Sequence, residues 1–334
     1  MSDPTILDTA GLVETAVPAL LKVRLPFFHR LDCFVKIWIL KALARLAYEV
    51  HKVLYPPPPS ISPTFVKRYP CRPSLQTRVF FPPGREKPKE RLPVFLCIHG
   101  GGFAVGTPHY DDSICSMLAR RTGMLVVSLD YSKSPLHPFP VACRSTSPRS
   151  PSAGFSAGGN LALGASQLPA LQGRIKAALV FYPIVDWSHP QDVKLARRPY
   201  RSQDSPVPDS LKSAGYWFDW AYVSVGQNRC DPVLSPCYAK REDLPPWIYM
   251  VGAQWDMLRL EAQEMIHALA GLEDNENQEA DFEEGTYKWT LAWGCAHGFT
   301  HHFWKKAEEK KRRQELCEPI FREASEWLQK AMRD

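Results

Sequence analysis

An α/β fold built on a mostly parallel sheet is the class that this sequence predicts, on two observations. Short apolar runs of strand length recur along the chain, and helix-favouring stretches alternate with them. The runs Val94–Ile98 (VFLCI), Met124–Leu129 (MLVVSL) and Ala177–Tyr182 (AALVFY) are almost continuously apolar, as strands covered on both faces require. The 334 residues are 45% apolar and 23% charged, enough for a sizeable core, which excludes a wholly disordered or collagen-like chain. The excess of 41 Lys and Arg over 35 Asp and Glu is mild for this length and points to no nucleic-acid partner.

In chain order, Met1–Ala10 carries two aspartates and no Lys or Arg, unlike a secretory signal. The nine cysteines form no CxxC, so neither a zinc ribbon nor a redox dithiol is indicated, and Cys97 reads as a core residue. Both points suit a reducing, cytoplasmic setting. Phe27–Leu54 is the most apolar region, but Arg30, Lys36, Lys41 and Arg45 interrupt it, and a membrane span needs about 18–20 residues nearly free of charge. A packed helix over a hydrophobic cleft is the first reading. The second is an interfacial helix with basic edges, making peripheral contact with a membrane. Residues 1–60 are therefore expected to form N-terminal cap helices, and 61–334 the main domain.

Pro56–Pro59 stops that helix, and Arg78–Phe81 is the next strand candidate. VFLCI leads into a glycine loop, His99–Gly106, followed by a helix at Asp111–Arg121 and the MLVVSL strand. Helices are expected over Asn160–Gln167, Leu258–Ala270 and His301–Lys330, and further strands at Trp247–Val251 and Tyr287–Trp293. Two stretches break the rhythm. Trp187–Leu244, rich in Pro, Arg and aromatics, is long enough for an inserted cap, and Glu273–Glu284 reads as a solvated acidic loop.

Glycines 100, 101, 102 and 106, with Asp130 ending the next strand, imitate a dinucleotide-binding unit. Val105 occupies the place of the third glycine, so no nucleotide cofactor is expected. A second motif, Gly154-Phe155-Ser156-Ala157-Gly158, is a GxSxG running into a helix start, the sharp turn that lifts a serine Oγ toward substrate. A serine hydroxyl needs a base, and the base an orienting carboxylate. Asp256 and His297 follow later strands in the expected chain order, with Asp186 and Asp231 as alternative acids. His297 and His301, four apart beside His302, could mimic a metal pair, but no HExxH accompanies them and no metal is expected. Most other histidines (29, 51, 109, 189 and 267) read as surface or packing residues. In Glu308–Arg313, acids and bases paired four apart favour a solvated helix over a nuclear or phosphate-binding patch.

His99-Gly100-Gly101-Gly102-Phe103, Tyr131 with His137-Pro138-Phe139-Pro140, GFSAGGN at 154–160, Tyr182-Pro183 with Asp186, and His297-Gly298-Phe299 together resemble the hormone-sensitive-lipase branch of the α/β-hydrolases. The resemblance covers about residues 75–330. It implies an α/β-hydrolase fold with a helical cap (insertion about 187–244), and a carboxylesterase, lipase or arylacetamide deacetylase type of enzyme. It implies Ser156 as nucleophile, His297 as base then acid, and Asp256 as its orienter. The N–H groups of Gly101, Gly102 and Ala157 would form the oxyanion hole, with His99 holding the glycine loop. The implied partner is a small-molecule ester, and no cofactor is called for. Among the insertion's aromatics, Trp187, Tyr216, Trp217, Phe218, Trp220 and Tyr222 could line an acyl or aryl pocket or simply pack the cap.

One stretch departs from the family. Only residues 141–153 (VACRSTSPRSPSA) separate the HPFP element from the serine turn. A crossover with its helix takes about 10–12 residues and a buried strand about five more, largely apolar. The sequence therefore predicts that the helix and central strand before Ser156 are missing or disrupted. Three readings follow: a hydrolase that has lost a piece, as in a truncated splice variant; a shortened chain that folds as an inactive binding protein on this scaffold; or an active enzyme in which residues 144–155 form a poor strand after all.

Overall fold

The computed structural model describes residues 24–70, 72–85, 91–145, 152–201, 204–205, 209, 211–272, 280–301 and 307–333. A helix, α1 (Phe27–Leu54), precedes a nine-stranded sheet. Its first four strands are β1 (Phe65–Tyr69), β2 (Arg72–Phe80), β3 (Val94–Ile98) and β4 (Leu125–Leu129), with α2 (Asp112–Thr122) crossing from β3 to β4. Next come α3 (Val141–Ser145), β5 (Ser152–Phe155), α4 (Ala157–Ser166) and β6 (Ala177–Phe181). After α5 (Gln191–Arg197) and α6 (Leu211–Tyr222) follow β7 (Trp247–Trp255), α7 (Arg259–Ala270), β8 (Phe282–Glu284), β9 (Tyr287–Ala296) and α8 (Ala307–Arg333).

The strand order is β1-β2-β4-β3-β5-β6-β7-β9-β8, parallel from β4 to β9 and antiparallel at both edges. Helices cover both faces, which is why the central runs lack polar alternation. Leu179 and Phe181 point to the side packed by α2 and α8, with Leu118, Phe321 and Leu328. Ala178 and Val180 point to the side packed by α4 and α7, with Leu161 and Ile266. The helix expected over Asp111–Arg121 starts one residue later, where Asp112 is paired with Arg78, and Gly123 ends it in the left-handed region.

The predicted loss of the strand before Ser156 is corrected here. β5 is four residues long, wholly buried, and hydrogen-bonded in parallel to β3 on one side and β6 on the other. It draws Gly154 and Phe155 from the stretch that the sequence reading assigns to the turn. A short helix, α3, also precedes it, with Ala142 and Cys143 buried. Pro148 and Pro151, on which part of the expectation rested, lie outside the described residues. The expectation demanded large aliphatic residues in a central strand, but this strand runs where neighbours approach too closely for them. A Cβ on Gly154 would lie 2.1 Å from the Gly158 carbonyl oxygen, and one on Gly158 would lie 2.0 Å from that of Ile98. Small residues are what let α4 sit down on β3 and β5.

Gly158→Ala is accordingly expected to destabilise the fold by about 3 kcal/mol or more, since backbone rather than a flexible side chain would have to yield. Urea unfolding would check it: the midpoint should fall well below that of the parent, with an unchanged slope.

Two further differences concern the edges of the sheet. β1 and β8 were not expected, because Phe65–Tyr69 is exposed and Phe282–Glu284 ends in two glutamates. Both are antiparallel additions at the rims, where one partner suffices. Phe282–Glu284 thus corrects part of the expected acidic loop, whose residues 273–279 lie outside the described set. The last helix is described over Ala307–Arg333, and residues 302–306, within the range expected for it, lie outside the described residues.

Candidate active site

Ser156 sits between the end of β5 and the start of α4 with φ 53° and ψ −116°, a conformation that non-glycine residues rarely hold. Its N–H donates to the Phe181 carbonyl (2.9 Å), and its own carbonyl accepts from Gly159 (2.9 Å) and Asn160 (3.2 Å). Asn160, buried at the helix start, donates from Nδ2 to the carbonyls of Ile184 (3.0 Å) and Leu234 (2.8 Å), tying the turn to the segment after β6. The end of β6 thus holds the serine backbone in place.

His297 follows β9 and Asp256 follows β7, so two adjacent parallel strands carry both side chains to the same edge of the sheet. Nε2 of His297 lies 2.9 Å from Ser156 Oγ, and Nδ1 lies 2.7 Å from Asp256 Oδ2. Asp256 is fully buried, and its other oxygen accepts the Leu258 N–H (3.0 Å). The Tyr182 ring meets His297 edge-on at 4.9 Å and limits the swing of the imidazole.

The alternative acids are occupied elsewhere. Asp186 faces His189 Nδ1 (2.5 Å) and accepts from Ser188, while Asp231 accepts the Val233 N–H (3.0 Å) in a turn. His301, the other half of the imagined metal pair, points at buried Asp111 (2.8 Å) and Thr300 (2.9 Å), while His302 lies outside the described residues. Among the described residues, no three His, Cys, Asp or Glu side chains gather as a metal site.

The glycine loop is anchored from below. His99 is buried, with Nδ1 2.7 Å from the Gly100 carbonyl and Nε2 3.3 Å from Asp130, and its ring stacks on Tyr131 at 4.4 Å. Burial opposes the charge on Asp130, but His99 and Lys133 outweigh it and bring the carboxyl down to about 2. The acid that imitated a ribose ligand in the sequence is therefore an anchor for the loop. The Gly101 carbonyl accepts from Ala104 (3.1 Å) and Val105 (2.9 Å), which curls the loop so that Gly102 borders the same cavity as Ser156 and Ala157.

That cavity is narrow, with about 40 Å³ of free space. Phe218 of α6 closes it, its ring lying where a Cβ on Gly102 would come within 2.4 Å. Trp187, His189, Gln191 and Lys194 line it as well. Reading His189 as a surface or packing residue missed this place beside the cavity. Its nearness to Asp186 in the sequence was the only available signal. Burial works against the charge on Asp186, yet Lys194, Ser188 and His189 prevail and hold its carboxyl below the usual range.

The aromatics of the insertion divide. Trp187 and Phe218 face the cavity, whereas Tyr216, Trp217 and Trp220 line a separate groove of about 900 Å³ against α1. Tyr222 is buried and stacks on Phe103 at 3.7 Å. Helical periodicity decides this: 218 and 222 share one face of α6, 216 and 220 another.

The sequence profile of the α/β hydrolase fold matches residues 95–147 and 152–291, more than half of the chain. Esterase LipI of Mycobacterium tuberculosis is 30% identical over 205 residues, covering 55% of this chain and 62% of LipI. The chain thus spans less than two thirds of that relative's length. In fold it is similar to an esterase of Pyrobaculum calidifontis (TM-score 0.62, 24% identity, covering 86% of this chain and 94% of that one). It is similar also to the ester hydrolase EH1AB1 from the metagenome of Lake Arreo, in complex with a bipyridine phosphonate derivative (TM-score 0.64, 21% identity, covering 100% of each chain). With its parallel sheet, the strained serine turn and the matched profile, the chain belongs to the α/β hydrolase fold family.

Proposed function

We propose that this protein is a carboxylesterase that works through an acyl-serine intermediate. The observation that carries the reading is the unbroken chain of contacts from Ser156 Oγ through His297 to buried Asp256. His297 takes the proton as Ser156 Oγ attacks the ester carbonyl, and Asp256 steadies the imidazolium. Negative charge then builds on the carbonyl oxygen, and the N–H groups of Gly101, Gly102 and Ala157 receive it. His297 returns the proton to the leaving alcohol. Water repeats the sequence, with His297 again as base, and frees the acid. α1 and residues 187–244 serve as the cap over this site, and neither cofactor nor metal is needed for any step.

LipI is named an esterase, and EH1AB1 an ester hydrolase bound to a phosphonate, the class of compound that imitates the charged tetrahedral state. Fluorophosphonate labelling of the purified chain, read by intact mass, tests the proposal. One adduct per chain, absent from Ser156→Ala, is the expected result. A folded chain that takes no label would instead be the inactive scaffold protein.

The small cavity also sets an expectation for acyl length. A pocket for a drug-sized group needs about 300 Å³ or more, so the space beside Ser156 suits a short acyl group. Phe218→Ala should shift the preference toward hexanoyl over acetyl p-nitrophenyl esters by about tenfold, the usual worth of one or two apolar contacts. Trp217→Ala, on the outer groove, should leave that ratio in place. Equal ratios in all three proteins would remove Phe218 from the acyl site.

A further inference from the structure

The outward face of α1 is apolar along its whole length, about 40 Å for 28 residues. Phe28, Leu31, Val35, Ile39, Leu46 and Val53 succeed one another at spacings of three, four and seven and so form one stripe. Phe28 is 80% exposed and Val53 76%. The opposite face is the one that packs: Ile37 is fully buried against Ala104, Ala221 and the aromatics of α6. Lys41 reaches inward to the carbonyls of Ala104 (2.9 Å) and Ser134 (2.8 Å). The stripe is therefore left over after the helix has been fully anchored. Exposed apolar surface of this extent marks an interaction site.

The edges of the stripe say what covers it. Arg24 precedes it and Lys36, Arg45 and Lys52 flank it, against two acids, Asp32 and Glu49, each matched within the helix by Lys36 and Lys52 at 2.7 Å. A second copy of this chain would bring like charges together, whereas an anionic surface would meet them. A straight apolar stripe with basic flanks is the form of a helix that lies in a lipid interface. Among the described residues no helix is long and apolar enough to cross a membrane, so α1 would lie on the surface.

We propose that α1 docks this protein on an anionic lipid surface through the Phe28–Val53 stripe, with the groove between α1 and α6 opening beside that surface. Asp32 and Lys36, at the edge of the stripe, also line the groove, and Gln191 and Asp219 border both the groove and the Ser156 cavity. The docked groove is thus the path by which an apolar ester held in the membrane reaches Ser156. The docking rests on the helix face alone, and the use of the groove rests on the esterase reading.

Flotation of the full chain with vesicles tests the docking without any measurement of activity. The chain should float with phosphatidylcholine vesicles that contain phosphatidylserine, less with phosphatidylcholine alone, and less at high salt. Val35→Asp combined with Leu46→Asp should lower the bound fraction about tenfold or more, while Val35→Leu with Leu46→Met keeps it. An unchanged thermal midpoint would show that the aspartate variant is folded. Three results would overturn the proposal: no flotation with either vesicle, equal flotation of the aspartate variant, or a parent dimer that the same two substitutions dissociate. A chain that floats yet takes no fluorophosphonate would keep the docking and remove the esterase reading.

Discussion

Ser156→Ala is expected to lower kcat toward a soluble short-chain ester by about 10⁵ to 10⁶, with the fold intact. The alanine methyl fits where the serine Cβ already stands, so the strained turn, held by Phe181, Gly159 and Asn160, is not disturbed. What is lost is the oxygen that lies 2.9 Å from His297 Nε2, and with it the covalent route. The residual rate would come from the polarising N–H groups of the glycine loop acting on a water molecule. Steady-state kinetics with active-site titration would check it. A variant retaining a tenth of the parent rate would place the nucleophile elsewhere.

The second large effect is expected from Asp256→Asn, a fall in kcat of about 10⁴ with KM little changed. Asp256 is fully buried and uses one oxygen for the Leu258 N–H and the other for His297 Nδ1. An asparagine that kept its oxygen toward Leu258 would turn its NH₂ group toward the imidazole. That favours the tautomer protonated at Nε2, which cannot accept the serine proton. Asp186→Asn and Asp231→Asn, remote from this contact, should retain the Ser156 label. Kinetics on the three variants would separate them. Equal losses in Asp186→Asn and Asp256→Asn would mean that the acid is not assigned by the contact seen here.

Much of this arrangement is legible in the sequence. The continuous apolar runs name the central strands because a two-sided cover leaves no polar face to alternate. GxSxG reads as a turn because two close backbone approaches, at Gly154 and Gly158, exclude side chains. The order of Ser156, Asp256 and His297 was readable because each follows a strand of one parallel sheet. The strand before Ser156 was misread for the same reason that the turn was read well. Small residues signal a turn when viewed alone, and a crowded central strand when its neighbours are known.

The sequence by itself determined the fold class, the serine turn, the glycine loop and the helix at 27–54, since these depend on local spacing and on residue size. Tertiary structure alone decided which aspartate meets His297, because Asp186, Asp231 and Asp256 have the same chemistry and differ only in where their strands and turns deliver them. It decided that Phe218 closes the cavity while Trp217 faces the outer groove, a difference of one position on a helix whose orientation comes from packing against α1. It also decided that Asp130 anchors His99 rather than waiting for a ligand. In each case the deciding quantity is a contact between residues distant along the chain, and such contacts form only when the sheet and its helices pack.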